Sequence, residues 1–212
     1  MLARFFGAGN VASMIDNIHE QERKHLEDLM VDADLFAKHS MNETGGVPPT
    51  LLIHGANGKT MLSPDDFSGE RAKEEFAETA RLMCLAQDAD ATVFLSEAWM
   101  RKAVPGEELD LSKRPSQCPD RQEMLIIMGE TRGCCQQRML PMERSEDGKF
   151  LGFGQEQKME ADRVEGRLAN FIPSEHPDGR EREMARETLT ERGVEMDEQE
   201  EQERERRMER RM

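Results

Sequence analysis

Leu51-Leu52-Ile53-His54-Gly55-Ala56-Asn57-Gly58-Lys59-Thr60-Met61-Leu62 decides the fold. Two short apolar runs flank Asn57-Gly58, and an Asn-Gly pair supplies the positive φ angles that a tight hairpin turn demands. The stretch therefore predicts two antiparallel strands. Its end, Gly58-Lys59-Thr60, also looks like a phosphate-binding loop. That motif needs a glycine five residues before Gly58, where Ile53 stands, and a helix after the lysine, where an apolar strand follows. The hairpin reading prevails.

Upstream, Gly45-Gly46 and Pro48-Pro49 close a helical region running from about Val11 to His39. Met14, Ile15, Ile18, Leu26, Leu29, Met30, Ala33, Leu35 and Phe36 recur at spacings of three and four, which predicts one buried face. Downstream, Ser63-Pro64-Asp65-Asp66 has the form of a helix start. A helix is expected from about Ser68 to Gln87, with Phe76, Ala80, Met83 and Cys84 as its buried stripe. Ala91–Met100 reads as a strand. A polar loop runs from Pro105-Gly106 to about Asp120, and Met124–Met128 is an apolar run expected in a central strand. Arg138–Glu143 is a further strand that Pro141 places toward an edge, because proline cannot donate to the ladder. Phe150–Phe153 begins the last strand, a helix is expected from Gln155 to Phe171, and Pro173 and Pro177 mark a linker.

Hairpins dominate this order. The expected fold is α+β, with a mostly antiparallel sheet carrying helices on one face, preceded by an N-terminal helix and followed by a charged helical tail. The expected division is an N-terminal helical segment (1–45), an α+β domain (46–172), and a linker with a low-complexity tail (173–212). Residues 181–212 hold twelve acids and eight arginines. Glu200 and Arg204, like Glu203 and Arg207, stand at i,i+4 in the favourable order. Apolar heptads are absent, so the tail is expected as a solvated helix or a disordered polyampholyte.

Charged residues make up 34% of the chain and the formal net charge is −15. Such a charge disfavours direct binding to nucleic acid or an anionic membrane and favours basic partners, including proteins that themselves bind nucleic acid. No apolar run approaches a membrane span, and Met1–Gly9 lacks a secretory h-region, so a cytoplasmic location with reduced thiols is expected. Sixteen methionines and no tyrosine hint at an adaptable surface.

The chemistry-bearing patterns are sparse. Glu22-Arg23-Lys24-His25 has the Glu-x-x-His spacing of di-iron bundles, but no second copy exists, and a solvated helix face is the expected reading. Cys84, Cys118, Cys134 and Cys135 contain no Cys-x-x-Cys pair. A zinc site from Cys118, the Cys134-Cys135 pair and His54 or His176 would have to assemble from distant segments, so idle thiols are expected. Ser96 lacks the elbow that would expose a nucleophile beside His54, Glu97 and Asp120. An acid beside a tryptophan can have a raised pKa, and long loops carry function, so a binding site is sought first at Glu97, Trp99, Arg101, Arg121 and Glu123. No catalytic residue, metal or cofactor is assigned.

Ser96-Glu97-Ala98-Trp99-Met100 and Pro115-Ser116-Gln117-Cys118-Pro119-Asp120-Arg121, with the strand after them, resemble a group of small uncharacterised proteins of bacteria and their phages. The similarity spans about Pro49 to Gly154 and implies a single α+β unit without an assigned activity. The expected function is a non-enzymatic acidic protein that binds a protein partner. The alternatives are a metal-dependent hydrolase built on scattered carboxylates such as Glu97 and Glu123, and a structural or assembly component.

Overall fold

A computed structural model of the chain describes residues 8–101, 113–161 and 166–194. Helix α1 (Ala8–Thr44) leads into the hairpin β1 (Thr50–Gly55) and β2 (Gly58–Leu62). Helix α2 (Gly69–Ala86) and strand β3 (Ala91–Met100) follow. After a short 3-10 turn (Pro115–Gln117) come β4 (Gln122–Glu130), β5 (Cys135–Arg144), β6 (Phe150–Phe153), β7 (Gln157–Ala161) and helix α3 (Gly179–Glu191). The strands form one sheet in the order β2-β1-β3-β4-β5-β6, with β7 also paired to β5, and every pairing is antiparallel. This is the α+β fold that the hairpin signals predict.

Strand alternation builds two cores. Leu51, Ile53, Phe94 and Met128 point to one side, where Phe76, Ala80, Met83 and Cys84 of α2 and Ala185 and Leu189 of α3 cover them. Leu52, Val93, Leu95, Leu125 and Ile127 point to the other, against Leu26, Leu29, Met30, Ala33, Ala37 and Met41 of α1. Leu26, Leu29, Met30 and Ala33 of the stripe expected for α1 are thus buried, Phe36 is half-buried, and the helix runs without a break. Leu35 and Ile18 fall off the stripe and are exposed. At Gly129 of β4 a Cβ would stand 2.6 Å from Leu26 Cδ1 and 3.0 Å from Met30 Sδ, so the missing side chain lets α1 lie close to the sheet.

Three expectations are corrected. Part of the segment expected as a helix from Gln155 to Phe171 is strand β7, paired with β5 from Cys135↔Ala161 to Met139↔Gln157. Pairing along a free strand flank overrides the helical propensity of a polar stretch. Residues 162–165 lie outside the described residues. The Arg138–Glu143 strand is interior rather than at an edge: β4 lies on one side, and β7 and β6 share the other. Pro141 fits because its carbonyl accepts from Gly154 N at 2.8 Å on that second flank. Its missing N–H points the same way, into the gap between β7 and β6, so the ladder to β4 loses nothing. Finally, the first part of the charged tail is not solvated on all sides. α3 starts from Asp178 with a full capping box, and Ala185 and Leu189, four residues apart, are buried against α2. The Glu200–Arg204 and Glu203–Arg207 pairs lie outside the described residues, as does the first half of the Pro105–Asp120 loop, residues 105–112. No helix among the described residues is long and apolar enough to cross a membrane.

Glu130, at the end of β4, fixes the segment that leads to α3. Its carboxylate accepts from Asn170 N at 2.9 Å and Ile172 N at 2.8 Å. Ala169, Phe171 and Ile172 are thereby held in the core.

Candidate functional sites

The five residues singled out from the sequence lie at one end of β3 and β4. Trp99 and Glu123 are direct cross-strand partners, and Glu97 is two residues from Trp99 on the same face. Trp99 is 41% exposed. The guanidinium carbon of Arg121 stands 4.4 Å from its centroid, a cation–π contact, and Arg121 also donates to the carbonyl of Ser116. Arg101 Nε reaches both carboxylate oxygens of Asp120, at 3.0 and 2.9 Å. Glu123 accepts a two-point contact from Arg144 at 2.6 and 3.1 Å. Arg144 also reaches the Gly45 carbonyl at 3.4 Å, at the end of α1. Glu97 accepts from Val47 N at 2.6 Å and so anchors the link between α1 and β1. A shallow depression of about 420 Å³, lined by Ser40, Thr44, Gly46, Val47, Pro48 and Glu97, opens beside it.

These carboxylates do not converge. Glu97 serves a backbone amide, Glu123 an arginine of β5, and Asp120 an arginine beyond β3. The group of Ser96, His54, Glu97 and Asp120 is not assembled either. His54 pairs with Ala91, six residues before Glu97 along β3, a distance of about 20 Å at the usual strand rise. Ser96 donates to the neighbouring Glu97 carbonyl at 3.1 Å. Lys59, the lysine of the apparent phosphate loop, reaches Asp32 of α1 at 2.6 Å.

The cysteines are dispersed. Cys118 Sγ faces the Arg114 carbonyl near the start of β4, whereas Cys135 sits opposite Glu130 at its end. Burial pushes the Cys84 thiol well above its ordinary value and the Cys135 thiol up to about 11, so neither supplies a thiolate at neutral pH.

A second cluster sits at the opposite end of the sheet, and its parts were not grouped by sequence reasoning. The turn from α2 to β3 is held against the hairpin by backbone hydrogen bonds: Ala56 N donates to the Gln87 carbonyl at 2.8 Å and Asp90 N to the His54 carbonyl at 3.0 Å. Gly55 permits this approach, since a Cβ there would meet the Gln87 oxygen at 2.6 Å. Asp90 is thus placed beside His54 on the α1 side of the sheet, and α1 brings His25 to the same point. His25 Nδ1 lies 2.8 Å from Asp90 Oδ2 and His54 Nδ1 lies 2.8 Å from Asp90 Oδ1. The two imidazoles stack with centroids 3.7 Å apart and an interplanar angle of 27°.

Two residues earlier, Asp88 adopts a left-handed backbone (φ 48°) and turns to a separate set of partners. It accepts from Arg132 at 3.2 Å and contacts His176 Nδ1 at 2.9 Å, while Arg182 approaches to 3.7 Å. Arg132 in turn pairs with Glu22 of α1 at 2.9 Å, and both side chains are at least nine-tenths buried. Glu22 is therefore not on a solvated helix face, and its partner is an arginine. A depression of about 520 Å³ lined by His19, Glu20, Arg23, Thr131, Gly133 and Cys134 borders this network.

Asp90 carried no motif in the sequence. The visible signal was the pair Asp88-Ala89-Asp90 between a helix and a strand; its meaning depends on contacts 36 and 65 residues away. Against known protein families, curated proteins and solved structures, the chain shows no significant match.

Proposed function

We propose that the protein is a non-enzymatic binding protein that docks a protein partner through the Trp99 end of the sheet. The observation that carries this reading is the state of the carboxylates there. Glu97, Asp120 and Glu123 are each matched to a different donor, which leaves none poised as a general base and no pair gathered for an ion. What the end presents outward is a half-exposed tryptophan with an arginine stacked on it. Tryptophan and arginine are the residue types that dominate binding energy at interfaces. The net charge of −15 adds steering toward a basic partner.

Affinity capture with the full-length protein at low and high salt tests this, run beside Trp99→Ala and Arg121→Ala. A partner held by the wild type, released by salt and lost with Trp99→Ala supports the reading. Identical capture by wild type and both variants overturns it.

A further inference from the structure

We propose that His25, His54 and Asp90 form a binding site for one divalent first-row transition-metal ion, with zinc-type chemistry. This site is at the other end of the sheet from Trp99 and is independent of the binding reading above. The case begins with convergence. One ligand atom from each residue lies within 4.8 Å of the other two. The two nitrogen–oxygen separations are 2.8 Å. An ion bonded at about 2.0–2.2 Å to tetrahedral ligands holds adjacent donors about 3.3–3.6 Å apart, so each nitrogen–oxygen pair would open by about half an ångström to admit one.

The donor set is also selective. Two imidazole nitrogens and one carboxylate suit zinc, iron, cobalt or nickel, whereas magnesium and calcium take oxygen donors. Both rings turn Nδ1 to the same carboxylate, and neutral imidazole is the ligating form. The three residues come from three elements whose positions are fixed independently. His25 is carried by α1, which is anchored by Leu26 and Leu29 in the core. His54 is locked in the β1–β2–β3 ladder, and Asp90 is pinned by its own amide on the His54 carbonyl. The three elements are therefore fixed, and only the two stacked rings would have to turn for both Nδ1 atoms to face one ion. Their side chains are 19%, 19% and 23% exposed for His25, His54 and Asp90. Solvent can reach the site, and water would complete the coordination of an ion with three protein ligands. Binding would clamp α1 to the hairpin and to the α2–β3 turn.

The rival arrangement is the same trio acting as a hydrogen-bonded clip with no affinity for metal. Titration of the tag-free, full-length protein with Zn²⁺ and Co²⁺ separates the two, with Mg²⁺ as the oxygen-seeking control. The expected result is one ion bound per chain for zinc and cobalt, none for magnesium, and a rise in Tm with zinc. His25→Gln and His54→Gln should each weaken binding by more than the about 10–100-fold that loss of an outer-shell partner costs. His39→Gln, His176→Gln and Cys134→Ser should bind as the wild type does. In the wild-type protein, zinc should shift the imidazole NMR signals of His25 and His54 and leave that of exposed His39 in place, a readout that needs no variant to fold. Absence of saturable zinc binding at millimolar metal, unmoved His25 and His54 signals, or binding that is lost with Cys134→Ser would overturn the proposal.

Discussion

Glu130 shows how a single side chain can set a pH dependence. Burial raises its carboxyl pKa above the ordinary glutamate value, against the opposing pull of the Ile172 and Asn170 amides that donate to it. An acid whose folded pKa is raised holds its proton more tightly in the folded chain than in the unfolded one. The stability that follows is fully present below the ordinary glutamate pKa of about 4.3 and is lost as pH rises through the raised value. Replacing Glu130 by Gln removes this titration. The stability of the wild type relative to Glu130→Gln should therefore fall as pH rises from acid through that window, measured by urea denaturation at a series of pH values. The other carboxylates cancel in the difference. A gap between the two proteins that is flat with pH would show that Glu130 meets the same environment folded and unfolded.

At the level of elements, what could be read from the sequence was what local chemistry decides. The Asn57-Gly58 signal named the hairpin, which pairs from Leu51↔Leu62 to Gly55↔Gly58, but its two-residue turn is Ala56-Asn57 and only Gly58 takes a positive φ, 100°. The β-branched and aromatic run from Ala91 specified β3. The periodicity of α1 and α2 named most of the residues that these two helices contribute to the cores, missing Ala37, Met41, Ala77 and Ala86. Strand β7 and the interior position of β5 were not legible, because both depend on which flank of β5 is free, and nothing local reports that. Asp90 was hidden for the same reason: its two histidine partners arrive through the docking of α1 and the hairpin. Gly129 belongs with these long-range decisions. A methyl group there would push on Leu26 and Met30, both buried in the contact between α1 and the sheet. Gly129→Ala should cost about 1–3 kcal/mol as an overpacking substitution, whereas Gly179→Ala, with open space around it, should stay within about 0.5 kcal/mol of wild type. Thermal or urea unfolding measures both. Equal effects would mean that α1 is free to back away from β4.

Across the whole molecule, a chain with a net charge of −15 repels itself, and Arg132 stands where several acid-bearing segments meet. Arg132, in the β4–β5 turn, joins Glu22 of α1 to Asp88 of the α2–β3 turn. Asp88 in turn meets His176 and Arg182, so the segment carrying α3 is tied to the same point. Four parts of the fold from both faces of the sheet thus meet around two carboxylates and one guanidinium. A buried pair of this kind adds little over a well-packed apolar replacement, but removing one partner strands the other as an uncompensated charge. Arg132→Met should therefore destabilise the protein by about 3–5 kcal/mol, most of it the cost of leaving the buried Glu22 carboxyl with only His19, at 3.4 Å, beside it. Glu22→Gln in the same chain removes that charge. The double variant should be more stable than the sum of the single effects implies, by about 0.5–3 kcal/mol, the range found for residues in direct contact. A double-mutant cycle by urea denaturation reads this coupling. Strict additivity would mean that α1 and the two turns are held together by their apolar contacts alone, with the Arg132 network placed at the junction but not binding it.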